Sequence, residues 1–213
     1  MVAQNARAAK ARAMKAEKEA EEQREAFANL GKEHLPELAK ALESSTRRFR
    51  QNAAKTMLRI AQEDPDALKP YLPQVVDALN RPEAQTRWEC LDILTLLVPV
   101  DSRTCEKALD GAETALFDEE NGALRLSAMR FLCKFGATTE LRSKRVWPLI
   151  DEGVQCCHGD YEYPRMLQAI VDFSAGKLDA QVKEEAYRRF AFDAKSDRGM
   201  VGKRSSQILG NLS

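Results

Sequence analysis

LPELAKAL, residues 35–42, is answered 37 positions later by LPQVVDAL, residues 72–79. Both phrases place apolar side chains at i, i+3, i+4 and i+7: Leu35, Leu38, Ala39 and Leu42, then Leu72, Val75, Val76 and Leu79. That spacing gathers them on one face of a helix. Both carry proline at the second position, where a helix start tolerates its missing N–H and benefits from its fixed φ.

Sliding the chain against itself extends the pattern. An apolar i, i+4 pair recurs as Leu38/Leu42, Val75/Leu79, Ala112/Leu116, Ile150/Val154 and Ala186/Phe190, with first members 37, 37, 38 and 36 residues apart. Proline precedes the pair by two positions three times, as Pro36, Pro73 and Pro148, so Pro148 is expected near a helix start. Between these phrases lie second helical stripes, namely Phe49, Ala53, Met57 and Ile60; Trp88, Leu91, Leu94 and Val98; Leu124, Ala128, Phe131 and Phe135. A basic residue opens each second helix: Arg50, Arg87, Arg125, Arg165, and Lys203 or Arg204. Turn chemistry separates the stripes at EDPDALKP, NRPE, VPVDS, FDEENG, HGDYEYP and DAKSDRG, and no alternating run of strand length occurs. The reading is all-α. One antiparallel pair cannot bury its apolar faces alone, so stacked pairs must share a continuous core.

A period near 37 residues with two helices per unit resembles the HEAT repeat, over residues 32–213. The resemblance implies a right-handed α-α superhelix, a solenoid of about five antiparallel helix pairs whose second helices line the concave side. Units of that kind often carry Asp at the turn, paired with the Arg of the second helix. Here that slot holds Ser44, Arg81 and Asp118, so within a unit only Asp118 with Arg125 matches. A tetratricopeptide array would need a 34-residue period, and an armadillo array a third helix per unit, for which the spacing leaves little room.

Residues 1–30 differ from residues 31–213. They consist mainly of Ala, Lys, Arg, Glu and Gln, basic first (Arg7, Lys10, Arg12, Lys15) and acidic after (Glu17, Glu19, Glu21, Glu22, Glu25). Such residues favour helix but supply no stripe to bury. The expectation is a solvated helical arm, with capping of the first end or partner binding as its alternatives. The whole chain has 33 basic and 33 acidic residues, and the repeats alone keep 27 against 28. Five scattered cysteines and a start without an apolar signal region point to a reducing compartment, the cytoplasm. No run is long and apolar enough to predict a membrane span.

Chemistry-bearing constellations are few. In Cys156-Cys157-His158 adjacent ligands fit one tetrahedral ion poorly, and no second cluster accompanies them, so no metal site is expected. No nucleophile–base order and no phosphate-cradling loop is present, so no catalytic residues and no cofactor are expected. Some HEAT-like proteins are DNA glycosylases that use Trp, Asp and Arg on the concave surface. Trp88 sits on an apolar stripe and Trp147 precedes Pro148, which favours packing for both. A pigment-handling helper would need a reactive cysteine among Cys105, Cys156 and Cys157. The non-core stripes of the second helices read Arg48, Asn52, Lys55, Arg59; then Gln85, Glu89, Asp92, Leu96; then Ala123, Ser127, Arg130, Lys134. Their signs run basic, acidic, basic, whereas a nucleic-acid groove should stay basic throughout.

The function expected is therefore a non-enzymatic scaffold that binds another protein along its concave face, with Arg47, Arg48, Lys55, Arg59, Glu89, Asp92, Arg130 and Lys134 as candidate contacts. The alternative is nucleic-acid binding, of DNA-glycosylase type.

Overall fold

The computed structural model describes residues 14–15, 17–18, 21–22, 24–196 and 199–213. The start of the arm, with Arg7, Lys10 and Arg12, lies outside the described residues. Among the described residues from Leu35 onward, ten α-helices form five antiparallel pairs: α1 (Leu35–Ala41) with α2 (Arg47–Glu63), α3 (Leu72–Asp77) with α4 (Ala84–Cys105), α5 (Leu109–Leu116) with α6 (Gly122–Gly136), α7 (Glu140–Cys156) with α8 (Tyr163–Ser174), and α9 (Ala180–Ser196) with α10 (Met200–Leu212). The described residues contain no strand. No described helix is long and apolar enough to cross a membrane.

The repeated phrase marks the buried register throughout. Leu38, Val75, Ala112, Ile150 and Ala186, and their i+4 partners Leu42, Leu79, Leu116, Val154 and Phe190, are all buried. They belong to one apolar cluster that runs from Leu35 to Ile208 without interruption, so no pair owns a private core. The second helices pack on one another in chain order, α2 on α4, α4 on α6, α6 on α8 and α8 on α10. Neighbouring first helices touch far less. The second helices thus form one contiguous inner layer of the stack.

Local breaks have local causes. Asp101 (φ −150°, ψ 75°) divides α4, two residues after Pro99, and its carboxylate accepts from the backbone N–H and hydroxyl of Thr104 to start the next turn. Asp64 caps a 3-10 segment, Pro65–Tyr71, that leads into α3, and Glu106–Ala108 does the same before α5. These lead-ins occupy the place of a third element, for which the sequence spacing left little room. Pro36 and Pro73 lie at the second position of α1 and α3, as expected. Pro148 does not: Thr139 caps α7 much earlier, by accepting from the Arg142 N–H, and Pro148 falls in the helix interior. Trp147 is correspondingly mid-helix, buried and stacked on Phe173 with centroids 6.2 Å apart. Trp88 is half-buried against the core.

Both ends of the stack are partly covered. The last arm residues lie on α2: Phe27 meets Phe49 edge to face at 5.6 Å, the Thr56 hydroxyl donates to the Phe27 carbonyl, and Arg59 donates to the Leu30 carbonyl at 2.5 Å. At the other end α10 turns Ile208 inward, and Asn211 ties it to α8 through the Val171 carbonyl and the Ser174 hydroxyl.

Candidate functional site

A chain of arginines sets the spacing of the inner helices. Arg50, Arg87 and Arg125 each stand at the fourth position of a second helix. Arg50 grips Glu83 of the next turn with Nε (2.5 Å) and Nη2 (2.8 Å), while Nη1 donates to its own turn's Ser44 carbonyl at 2.6 Å. Arg125 repeats the arrangement one step on, with Asp160 at 2.7 Å and the Asp118 carbonyl at 2.8 Å. Arg87 reaches Asp118 Oδ2 at 3.5 Å.

The acid–arginine ladder therefore exists, but each arginine takes the carboxylate of the following unit. The pairing expected within a unit, Asp118 with Arg125, is replaced by a bond to the Asp118 backbone, because that carboxylate is engaged by Arg87 and the N–H groups of Glu120 and Asn121. Burial pushes the Glu83 carboxyl up, yet hydrogen bonds from Arg50, its own backbone and Thr86 hold it below the usual carboxylate range. The same contact raises the Arg50 guanidinium above its ordinary value.

With their turns fixed this way, the inner helices leave a groove of about 630 Å³ across four units. Thr95, Leu96 and Pro99 come from α4, Arg130, Cys133 and Lys134 from α6, Arg165, Gln168, Ala169, Asp172 and Phe173 from α8, and Arg204 from α10. The floor is apolar and the rim polar, which is the arrangement of a recognition surface. Arg204 donates to the Pro164 carbonyl, and Arg130 stands 3.9 Å from Asp92.

A second hollow, of about 480 Å³, opens between the arm and the first two units, where Asn52, Lys55, Arg59 and Glu89 meet Arg24 and Phe27. Glu89 is only 6% exposed; Gln85 donates to one carboxylate oxygen and the other has no partner. Burial pushes this carboxyl up to about 7, against the opposing effects of Gln85 and Lys55. Burial likewise raises Asp92.

The candidate contacts thus separate. Arg130 and Lys134 line the main groove, with Asp92 beneath Arg130. Lys55, Arg59 and Glu89 line the second hollow, where Arg59 is held by the Leu30 carbonyl and Glu63. Arg47 and Arg48 border a separate open hollow beside Phe49. The basic cluster on α2 is therefore not one patch, since Arg50 is buried in the ladder and Arg59 fastens the arm. Sequence stripes missed Thr95, Pro99, Arg165, Gln168, Asp172 and Arg204. Extending the period to α8 and α10 is the signal that finds the last four.

Among the cysteines only Cys156 is exposed, and burial raises the Cys105 and Cys157 thiols. No group of three metal-ligating side chains occurs among the described residues.

No protein-family model and no curated protein sequence matches the chain. Solved structures do. A designed armadillo repeat protein in complex with the peptide (KR)4 superimposes with a TM-score of 0.71 at 14% identity, covering 90% of this chain and 91% of that one. The chain has the armadillo/HEAT-like repeat fold. A second designed armadillo protein, YIII(Dq)4CqI, gives 0.68 at 16% identity over 90% and 91%. Computationally designed armadillo proteins for modular peptide recognition give 0.69 at 15% over 90% and 91%. At these identities the likeness shows the fold of the armadillo/HEAT-like repeat and nothing finer.

Proposed function

We propose that this armadillo/HEAT-like repeat is a non-enzymatic scaffold that holds an extended segment of a partner protein in the groove of its second helices. The observation that carries the reading is the groove itself, which is continuous over α4, α6, α8 and α10, apolar below and polar at its edges. A helical stack with one contiguous inner layer presents a long concave surface suited to a chain rather than to a compact small molecule. The solved neighbours support this, since one is in complex with a peptide and others are designed for modular peptide recognition. Recognition would reside in side chains spaced by the repeat, so register and charge pattern select the partner. The five unpaired thiols accord with work in a reducing compartment such as the cytoplasm.

The test is site-specific photocrosslinking in the source cell, with benzoylphenylalanine at Gln168 in the groove or at Lys144 on α7, outside it. A protein adduct at position 168 and none at 144 is the expected outcome. Adducts at 144 alone would overturn the reading.

A further inference from the structure

The rim of the main groove carries Arg130, Lys134, Arg165 and Arg204 against a single carboxylate, Asp172. Asp92, 3.9 Å from Arg130 and near enough to Arg165 to attract it as well, offsets part of this excess. Lys134 and Arg165 have no ion-pair partner among the described residues, and both are exposed. A chain with balanced totals has therefore concentrated a net excess of cations along one concavity, where walls of low dielectric focus their field. The floor between them is apolar: Leu96 and Pro99 are exposed, and Ala169 covers Phe173.

Resting on the scaffold reading above, we infer that the occupant is an acidic, extended peptide segment bearing apolar anchor residues, with Lys134 and Arg165 as its principal charge contacts. In an extended chain successive side chains point to opposite sides, so carboxylates can reach the rim while alternate apolar groups face the floor. Four inner helices at interaxial distances of roughly 9 Å span about 27 Å, which at ~3.3 Å per residue is about eight residues. A basic segment, like the (KR)4 peptide of the designed neighbour, would meet like charge here, and like-charge juxtaposition rejects a partner. Single-stranded nucleic acid is the poorer match, because it uses exposed aromatic faces for base stacking. The single aromatic ring lining this groove, Phe173, is buried.

Fluorescence anisotropy of the full chain decides the point. The probes are labelled decapeptides of Glu, Ser and Leu, the same peptide with Lys for Glu, the same with Gln for Glu, and a ten-nucleotide oligo-dT. The acidic peptide should bind about tenfold or more tighter than the lysine peptide at low salt, and lose affinity as salt rises. Reversing Lys134→Glu and Arg165→Glu together should invert that preference without changing the circular dichroism. The neutral pair Lys134→Gln and Arg165→Gln should abolish the preference, and it serves as the readout should the reversal impair folding.

Equal or tighter binding of the lysine peptide, oligo-dT binding that depends on the same two residues, or acidic-peptide binding indifferent to their reversal would each overturn the inference. If only the glutamine or lysine peptide binds the groove, the scaffold reading survives and the acidic assignment falls. If no peptide binds and position 168 yields no crosslink, both fall.

Discussion

Removing Glu83 should damage this protein more than removing any exposed charge. The Arg50–Glu83 pair joins the first unit to the second, with Arg50 8% and Glu83 5% exposed. Glu83→Ala deletes three hydrogen bonds to the carboxylate, two from Arg50 and one from the Thr86 hydroxyl, each of order 1.5–3 kcal/mol, and strands a guanidinium that keeps only the Ser44 carbonyl. A buried charge stripped of its partner typically costs about 3–5 kcal/mol. The related Asp160→Ala should cost only about 1 kcal/mol, because that carboxylate and Arg125 both reach solvent. The double replacement Arg50→Met with Glu83→Leu should recover most of the loss, since it leaves no orphan charge.

Urea titration by circular dichroism gives the free energies. Trp88 fluorescence, read in parallel in a Trp147→Phe background that removes the second tryptophan, reports the unit where the damage starts, five residues beyond Glu83. A loss below about 1 kcal/mol for Glu83→Ala, or a double variant no better than the single, would refute the view that the ladder works as a buried couple.

Glu89 should make stability fall with rising pH. Its carboxyl is raised to about 7 in the folded chain from about 4.5, so the folded state keeps a proton that the unfolded state has lost. Stability declines between those values by at most about 3 kcal/mol and is level above. Glu89→Gln should remove the slope and stabilise the protein at pH 8 while changing little at pH 4, measured as Tm against pH. Gly176→Ala should cost about 1–3 kcal/mol, because a Cβ there would lie 2.7 Å from the Ala137 carbonyl oxygen, a backbone atom that cannot turn aside. Thermal unfolding of this variant checks the value.

The fold was legible because burial obeys a short period. All ten residues of the recurring i, i+4 pairs lie in the shared core, and that register needs no knowledge of loops. Pro148 misled because its place in the phrase matched Pro36 and Pro73, while Thr139 supplies a cap well upstream that lengthens this one helix. The ladder was half visible. Its arginines keep one position, but their acids stand 31 to 35 residues ahead, at Glu83, Asp118 and Asp160, in turns of different length. Arg59 is among the candidate contacts, but its fastening of the arm left no trace in the sequence, since that bond runs to the Leu30 backbone carbonyl, which any residue would provide. The groove emerged only in part for a similar reason. Arg130 and Lys134 followed from the stripe on α6, but Glu89 and Ser127 of the same stripes are buried.

The most direct measurement is a map of backbone amide shifts on adding the acidic decapeptide to isotopically labelled protein. Changes should cluster at residues 95–99, 130–137 and 165–173, on three successive inner helices, and leave α3, α5 and α7 unmoved. Shifts confined to those outer helices would contradict the account, as would a saturating ligand that moves nothing in the groove.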